Sequence, residues 1–429
     1  MTHPDLVDPW IGGPGAKGYP HAAAPLRRSS IAAQHWNVLR GDLPLPAAVI
    51  RRRALQGNLQ WMQQYARAQG VELAPHGKTP MSPQIFAAQL AAGAWGITFA
   101  NVTQARLGLL AGVSRGLIAN QVLAADDLTA IAALLREQAG ARLLFLVDSE
   151  AQLELIEAWW RAQPQPPAAF EVLLELGLDG GRTGCRGHEP ALALARGLHA
   201  SPAVQLAGIE CYEGLWAKGD SEADRALAQR LMQRVQALAQ QCEREQLFDT
   251  DELLFSAGGS AIFDLVAPGL KPALARPTRG LLRSGCYVTH DHGSYKRYMA
   301  AMDGRLSCSH GLQAALEVWT RVQSCPEPGL ALLTAGKRDV SYDIEMPIPA
   351  WWFAPGQAAP EPAPADWKVS AMNDQHAYLR FDAAAARTPQ VGELVGLGIS
   401  HPCTTFDKWR WMAIVDDDYD VVDAIVTYF

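Results

Sequence analysis

The sequence predicts an α/β protein: a TIM-like (β/α)8 barrel followed by a second, β-rich C-terminal domain. Three observations carry this. From about residue 45 to 295, short apolar runs alternate with helical stretches, the pattern of parallel strands joined by crossover helices. Eight such units fit in about 250 residues, the size of a closed barrel. After about residue 305 the texture changes to short β-branched and aromatic runs broken by Gly, Pro and Asp. At 429 residues the chain exceeds one core, so two domains are expected, 45–300 as the barrel and 1–44 plus 301–429 as the β-rich part.

The eight strands are placed near 71–77, 96–100, 116–120, 143–148, 170–177, 206–212, 252–257 and 280–286. Alanine and leucine recur at helical spacing over 124–138, 189–199 and 221–245. Ser82 and Pro83 suit the cap and first turn of a helix over 82–92. Leu43 to Ile50 reads as a strand leading into the barrel. An open doubly wound sheet has the same periodicity and stays an alternative. Downstream, Ala315–Val322, Leu330–Thr334, Ala377–Phe381 and Glu393–Leu397 read as strands, and the proline-rich stretch Trp351–Trp367 as a surface loop.

Composition narrows the function classes. A net charge of −7 gives no footprint for nucleic acid, and Arg51-Arg52-Arg53 reads as the solvated start of a helix. Nothing approaches the roughly 18 apolar residues of a membrane span, and the first 25 residues lack a signal-type apolar core. Seven scattered cysteines, at 185, 211, 242, 286, 308, 325 and 403, make no CxxC pair, so reduced thiols and a cytoplasmic location are expected.

In such a barrel, functional groups gather at the carboxyl ends of strands. Lys78, in Pro75-His76-Gly77-Lys78-Thr79, follows the first strand. A lysine amine there can form a Schiff base with an aldehyde cofactor, or be a plain surface lysine. The fifth strand runs into Asp179-Gly180-Gly181-Arg182, where Arg182 offers planar donors to an oxyanion or simply decorates a tight turn. Gly258 and Gly259 end the seventh strand, and Ser284, Gly285 and Tyr287 the eighth, where these barrels often hold phosphate. Tyr212 ends the sixth and could flank a ring or only pack. His76, His290 and His292 lie near strand ends and could line a pocket. Far downstream, His401 and Cys403 are two apart, the same side of an extended segment. Two such ligands are too few for a structural zinc site but suit a catalytic metal completed by water or substrate; a core histidine and cysteine is the alternative. Lysine and metal pair together suggest pyridoxal-phosphate chemistry on a hydroxylated amino acid.

The motifs PHGKT (75–79), GLDGGRTG (177–184), FSAGGS (255–260), LRSGCYVTHD (282–291), LTAGKRDVSYD (333–343) and SHPCTTFDKW (400–409) resemble those of the D-serine dehydratase and D-threonine aldolase group of fold-type III pyridoxal-phosphate enzymes. The resemblance spans roughly 43–415. It implies Lys78 as the Schiff-base lysine, Arg182 near the cofactor's phenolic oxygen, and Gly258, Gly259, Ser284, Gly285 and Tyr287 around its phosphate. It further implies Zn2+ on His401 and Cys403, and a homodimer. The racemases of this fold carry an arginine on the sixth strand, absent from Glu210–Glu213, and lack the His-x-Cys pair. Both departures argue against racemisation, and in the aldolases of the group the ligand motif can differ from His-x-Cys; the resemblance therefore implies elimination of water from a D-3-hydroxy amino acid such as D-serine, giving a 2-oxo acid and ammonia. Retro-aldol cleavage to glycine and an aldehyde is the alternative, and a non-catalytic cofactor-binding protein a more distant one.

Overall fold

The structure is a computed structural model that describes residues 3–13, 15–214, 216, 217, 219, 221–306 and 311–429; Cys308 lies outside the described residues. The chain divides into two compact units, one chiefly Met62–Lys78 and Phe86–Gly285, the other Pro4–Trp61, Thr79–Ile85 and Cys286–Phe429.

The first unit is an eight-stranded parallel sheet. Its strands are Glu72–Leu73, Ile97–Phe99, Arg115–Gln121, Arg142–Val147, Phe170–Leu176, Val204–Cys211, Leu253–Ala257 and Thr278–Leu282, called here the first to eighth barrel strands. The eighth lies beside the first and the remaining neighbours follow sequence order, while a parallel bridge from His76 to Thr98 links the first to the second. The curled, TIM-like sheet expected from the alternation is therefore present. Only two residues of the first run form a ladder, because Pro75 has no N–H to give.

Helix ends follow local chemistry. Asn101 and Ser149 accept hydrogen bonds from the backbone N–H of Gln104 and Gln152 at 2.9 and 3.3 Å, caps contributing about 1 kcal/mol each. The longest helix, Ser221–Arg244, buries Leu227, Leu231, Val235 and Leu238 at three- and four-residue spacing. It stops where Gln246 turns left-handed (φ 58°) and Leu247 N–H reaches back to the Cys242 carbonyl at 2.8 Å.

Inside the barrel, Leu117, Leu144, Leu173, Ala207, Leu254 and Leu281 belong to one buried cluster. Full burial of each leucine contributes about 1.5–3 kcal/mol. Side chains two apart share a strand face. Two residues beyond Ala74, Leu173 and Leu281 stand His76, Glu175 and Arg283, so a polar layer lies over the apolar one at the strands' carboxyl ends. Glu210 joins that layer, because it is paired in register with Glu175 on one side and Ser256 on the other. Gly208 lets the sixth strand pass the seventh: a Cβ there would stand 1.9 Å from the Leu254 carbonyl oxygen.

The second unit is built on one mostly antiparallel sheet. In spatial order its main path is Glu361–Pro362, Ile348–Phe353, Leu394–Gly398, Leu316–Glu327, Leu330–Leu333, Ala377–Arg380 and Lys368–Met372. Ala47–Arg51 pairs with the start of the long central strand, antiparallel, and with Trp411–Val415, parallel. The strand expected over Leu43–Ile50 thus belongs to this sheet. The stretch Trp351–Trp367 is not wholly a loop: Trp351–Phe353 is ladder, paired with Leu394–Gly396, because three consecutive aromatic residues suit a half-buried strand better than the downstream prolines suggest. A buried carboxylate anchors the core. Glu317 accepts from the Trp319 and Trp351 indole N–H groups and the Tyr419 hydroxyl, each at 3.0 Å.

This unit also sets an acid limit on stability. Burial holds His290 and His292 down to a pKa of about 4, helped by the Lys296 charge, and lifts Asp291 to about 6. An unfolded histidine takes its proton near 6.5, so each neutral histidine favours the fold above that pH and loses its contribution as pH falls toward 4. Asp291 works the other way between about 6 and 3.8, offsetting part of the loss. The net expectation is a fall of about 3 kcal/mol in stability from pH 6.5 to 4. His290 has φ 49°, which asparagine tolerates, so His290→Asn should flatten that fall. Urea midpoints at pH 7, 6 and 5 for the two proteins would check it.

Candidate active site

The polar layer at the barrel's carboxyl end brings the buried charged groups Glu175, Glu210 and Arg283 together with His76. The segment Ala74–Lys78 is threaded between the eighth and second strands: Ala74 and His76 N–H groups donate to Leu282 and Arg283 carbonyls at 2.8 and 3.1 Å, and Gly77 N–H to Thr98 at 2.6 Å. Position 77 must be glycine, since a Cβ would meet Ile97 and Phe86 at 2.9 Å. This places Lys78, an exposed residue, at the end of a rigid strand extension.

Around it, Arg283 is buried and bonds the Glu210 carboxylate, with a further N–H on the Cys211 carbonyl at 3.1 Å. Desolvation raises the Glu210 pKa to about 8 against the pull of Arg283. His76 is driven well below its usual value, first by burial and then by the positive charges of Lys78, Arg283 and Arg182. Glu210 Oε2 and His76 Nδ1 are buried without a hydrogen-bond partner in the protein. Two unsatisfied polar atoms in one charged layer call for a polar ligand.

The loop after the fifth strand presents Arg182 with its guanidinium carbon 5.1 Å from the Tyr212 ring centre. Thr183 Oγ1 donates to Glu175 at 2.6 Å. Two arginines that sequence reasoning passed over hold this loop: Arg186 donates to the Gly181 carbonyl at 2.8 Å, and Arg234, from the long helix, to those of Gly177 and Arg186 at 2.6 Å. Gly258 and Gly259, expected to offer N–H groups to phosphate, donate them here to the Glu213 carboxylate at 3.1 and 2.7 Å. Ser284 Oγ donates to the Gly259 carbonyl at 2.8 Å. Arg182, Tyr212, Gly259 and Ser284 therefore form one connected patch, with Gly285 next in the chain. A Cβ on Gly259 would stand 3.2 Å from Tyr212 and from Gly214. Gly259→Val should therefore weaken pyridoxal-phosphate binding at least about tenfold by pushing this patch apart, read by titrating the cofactor absorbance.

The remaining candidates lie in the second unit. Tyr287 is buried in the short turn Cys286–Val288. His401 and Cys403 do not sit on an extended segment. Pro402 is helical (φ −57°, ψ −46°) and Cys403 opens the turn Cys403–Phe406, since proline's fixed φ suits a helix start. His401 Nδ1 meets Asp343 Oδ2 at 2.6 Å, and Thr404 Oγ1 donates to the other carboxylate oxygen at 2.6 Å. That orientation leaves Nε2 to face a ligand. Burial disfavours charge on His401, but the Cys403 sulfur and Asp343 raise its pKa to about 9. Cys403 is held well below the usual thiol value by contacts from Cys286, His401 and Thr79, which overcome its burial. Its sulfur lies 3.4 Å from Thr79 Oγ1 and 3.7 Å from Cys286 Sγ. A thiolate beside an oriented imidazole is a donor set that zinc accepts. Among the described residues, however, no three His, Cys, Asp or Glu side chains form a ready metal-binding group.

Comparison with known proteins fits this arrangement. Residues 50–277, more than half of the chain, match the family model "Alanine racemase, N-terminal domain". The chain belongs to that family. Residues 315–415 match a second model, "Putative serine dehydratase domain". A D-threonine aldolase from Arthrobacter sp is 29% identical over 377 residues, 87% of this chain and 89% of its own. A D-threo-3-hydroxyaspartate dehydratase from Delftia sp. (strain HT23) is 40% identical over 256 residues, 58% of this chain and 62% of its own. The solved structure of the Delftia enzyme superposes with a TM-score of 0.71 at 26% identity, covering 91% of this chain and 99% of that one. A cysteine-to-alanine mutant of a D-threo-3-hydroxyaspartate dehydratase, in the metal-free form, superposes with a TM-score of 0.70 at 25% identity, covering 92% of this chain and 99% of that one. The protein is thus a lyase of the fold-type III pyridoxal-phosphate class. Among the described residues, no helix is long and apolar enough to cross a membrane.

Proposed function

We propose that this protein is a pyridoxal-phosphate- and zinc-dependent dehydratase that removes water from D-3-hydroxy amino acids, yielding a 2-oxo acid and ammonia. The observation that carries the reading is the Asp343–His401 pair beside the Cys403 sulfur, in a chain that also carries a lysine at the end of its first barrel strand. The racemase fold alone has no need of such a pair.

The buried, unpartnered Glu210 Oε2 and His76 Nδ1, with Arg182 and Arg283 beside them, fit a charged aromatic cofactor. Pyridoxal phosphate supplies a carbonyl for the substrate amine and a ring that delocalises charge from Cα. Lys78 would hold the cofactor through its amine and, once displaced by substrate, take the α-proton at Nζ. Arg182, set over Tyr212, would face the cofactor's phenolic oxygen. Gly258, Gly259, Ser284, Gly285 and Tyr287 would surround the phosphate. Since Glu213 already occupies the two glycine N–H groups, the glycines would contribute chiefly room for close approach. His401 and Cys403 would hold Zn2+, which supplies Lewis-acid polarisation of the β-hydroxyl. Asp343 keeps the His401 ring turned for that task.

A second reading is aldol cleavage, favoured by the Arthrobacter D-threonine aldolase, a relative with broad coverage of both chains. The same groups serve, but the proton to be moved is that of the β-hydroxyl. We read the working form as a cytoplasmic homodimer, which sedimentation would check. The test of the main reading is a panel of D- and L-serine, D- and L-threonine and both threo enantiomers of 3-hydroxyaspartate, assayed for ammonia. Ammonia from D isomers only supports it; ammonia from L isomers alone, or from none, contradicts it.

A further inference from the structure

We propose that Glu213 is a positioning residue of the pyridoxal-phosphate site: its carboxylate fills the anion nest formed by the Gly258 and Gly259 N–H groups and so sets the Gly259 carbonyl on Ser284, next to Gly285, and Tyr212 beside Arg182. The inference rests on the reading of that patch as the cofactor site. Glu213 is wholly buried and lies in the loop just past the sixth barrel strand. Its two oxygens accept from N–H groups 45 and 46 residues away, Gly258 to Oε2 at 3.1 Å and Gly259 to Oε1 at 2.7 Å. Gly258 has φ 100°, and a left-handed residue in a turn makes successive N–H groups converge into a concavity that binds anions. Here the anion is the chain's own.

A buried, hydrogen-bonded carboxylate can also be a plain staple between two loops. What ties this one to the cofactor is where its bonds lead. The Gly259 carbonyl, on the residue whose N–H is held, accepts from Ser284 Oγ at 2.8 Å. A Cβ on Gly259 would stand 3.2 Å from Tyr212 and from Gly214, so the loop that carries Glu213 packs directly on the turn it holds. Tyr212, its chain neighbour, has its ring centre 5.1 Å from the Arg182 guanidinium carbon. Burial pushes the Glu213 pKa up, while the two glycine N–H groups and the Arg283 charge pull it down. A carboxylate and a phosphate cannot use the same two N–H groups at once. With Glu213 in the nest, the phosphate is left to the chain around Gly285.

The test sets pyridoxal phosphate against pyridoxal, which lacks the phosphate, as ligands of the full-length protein stripped of cofactor, with affinities read from the visible-edge absorbance. In Glu213→Gln the amide keeps one acceptor but points an NH2 at the other glycine N–H. Affinity for pyridoxal phosphate should fall at least about tenfold, and that for pyridoxal by less than about threefold. Charge alone would act the other way, since the substitution removes a negative charge near the phosphate. Glu213→Ala should lose the same selectivity and regain it with formate, but not with formamide. An equal loss for both ligands makes Glu213 a loop staple and overturns the proposal, as does unchanged or tighter binding of pyridoxal phosphate. Should both variants fail to fold, a crystal structure of the cofactor-loaded wild type decides: the Glu213 carboxylate still on both N–H groups supports the proposal, and a phosphate oxygen in its place overturns it. Wild type that binds neither ligand overturns the cofactor reading itself, a result distinct from failure at Glu213 alone.

Discussion

Lys78→Ala is expected to abolish turnover, lowering kcat by roughly 10^3–10^4-fold or more, because on the proposed reading one amine would be both the cofactor's anchor and the base at Cα. The wild-type protein should carry a visible-edge absorption that borohydride bleaches, with the reduced label on the peptide containing Lys78. The alanine variant should lose that label while still binding pyridoxal phosphate weakly through the Arg182–Tyr212–Ser284 patch. The fold should be unaffected, since Lys78 is exposed and the strand extension beneath it is held by backbone bonds from Ala74, His76 and Gly77. A borohydride-reducible label that persists in Lys78→Ala would remove this residue from the centre of the site.

The second large effect is expected at the metal. A Lewis acid on the departing hydroxyl is worth several kcal/mol of transition-state stabilisation, so Cys403→Ala or chelation should lower kcat for D-serine by about 10^3-fold. Substrate affinity should change far less, because the charge that the metal meets develops during elimination rather than on binding. The borohydride-reducible linkage at Lys78 should survive. A substrate with a β-chloro group, which leaves without assistance, should recover much of the lost rate. Asp343→Asn should fall between wild type and Cys403→Ala, by about 10–100-fold in metal affinity, since it orients His401 without being a ligand. Undiminished D-serine turnover after metal removal would make the His401–Cys403 pair structural.

Much of this was legible in the chain because it is written in local pattern. Apolar runs of strand length, alternating with helices such as Ser221–Arg244, imply parallel strands wherever they occur. Lys78 and Arg182 could be placed at strand ends by counting units. What escaped is pairing between distant residues. Nothing near Gly258 and Gly259 announces that Glu213 takes their N–H groups, and nothing near residue 177 announces the Arg234 clamp from a helix some 50 residues later. Asp343 and Cys286 converge on His401 and Cys403 from 58 and 117 residues away, respectively, through strand order that periodicity does not encode. The segment at 401–403 was read as extended from spacing two, whereas Pro402 bends it into a helical turn that brings its histidine and cysteine together all the same. Trp351–Phe353 was lost to the prolines that follow it, which lie mostly beyond the ladder.

The central claim, that the bond broken is Cβ–O rather than Cα–Cβ, is tested most directly by the product balance from D-threo-3-hydroxyaspartate with the zinc- and cofactor-loaded enzyme. Elimination of water gives oxaloacetate and ammonia; aldol cleavage gives glycine and glyoxylate. The two pairs share no member, so a single timed sample, quenched and quantified for all four, decides between them. The account predicts oxaloacetate and ammonia in equal amounts, matching the substrate consumed. Glycine and glyoxylate in equal amounts, with no ammonia, would contradict it.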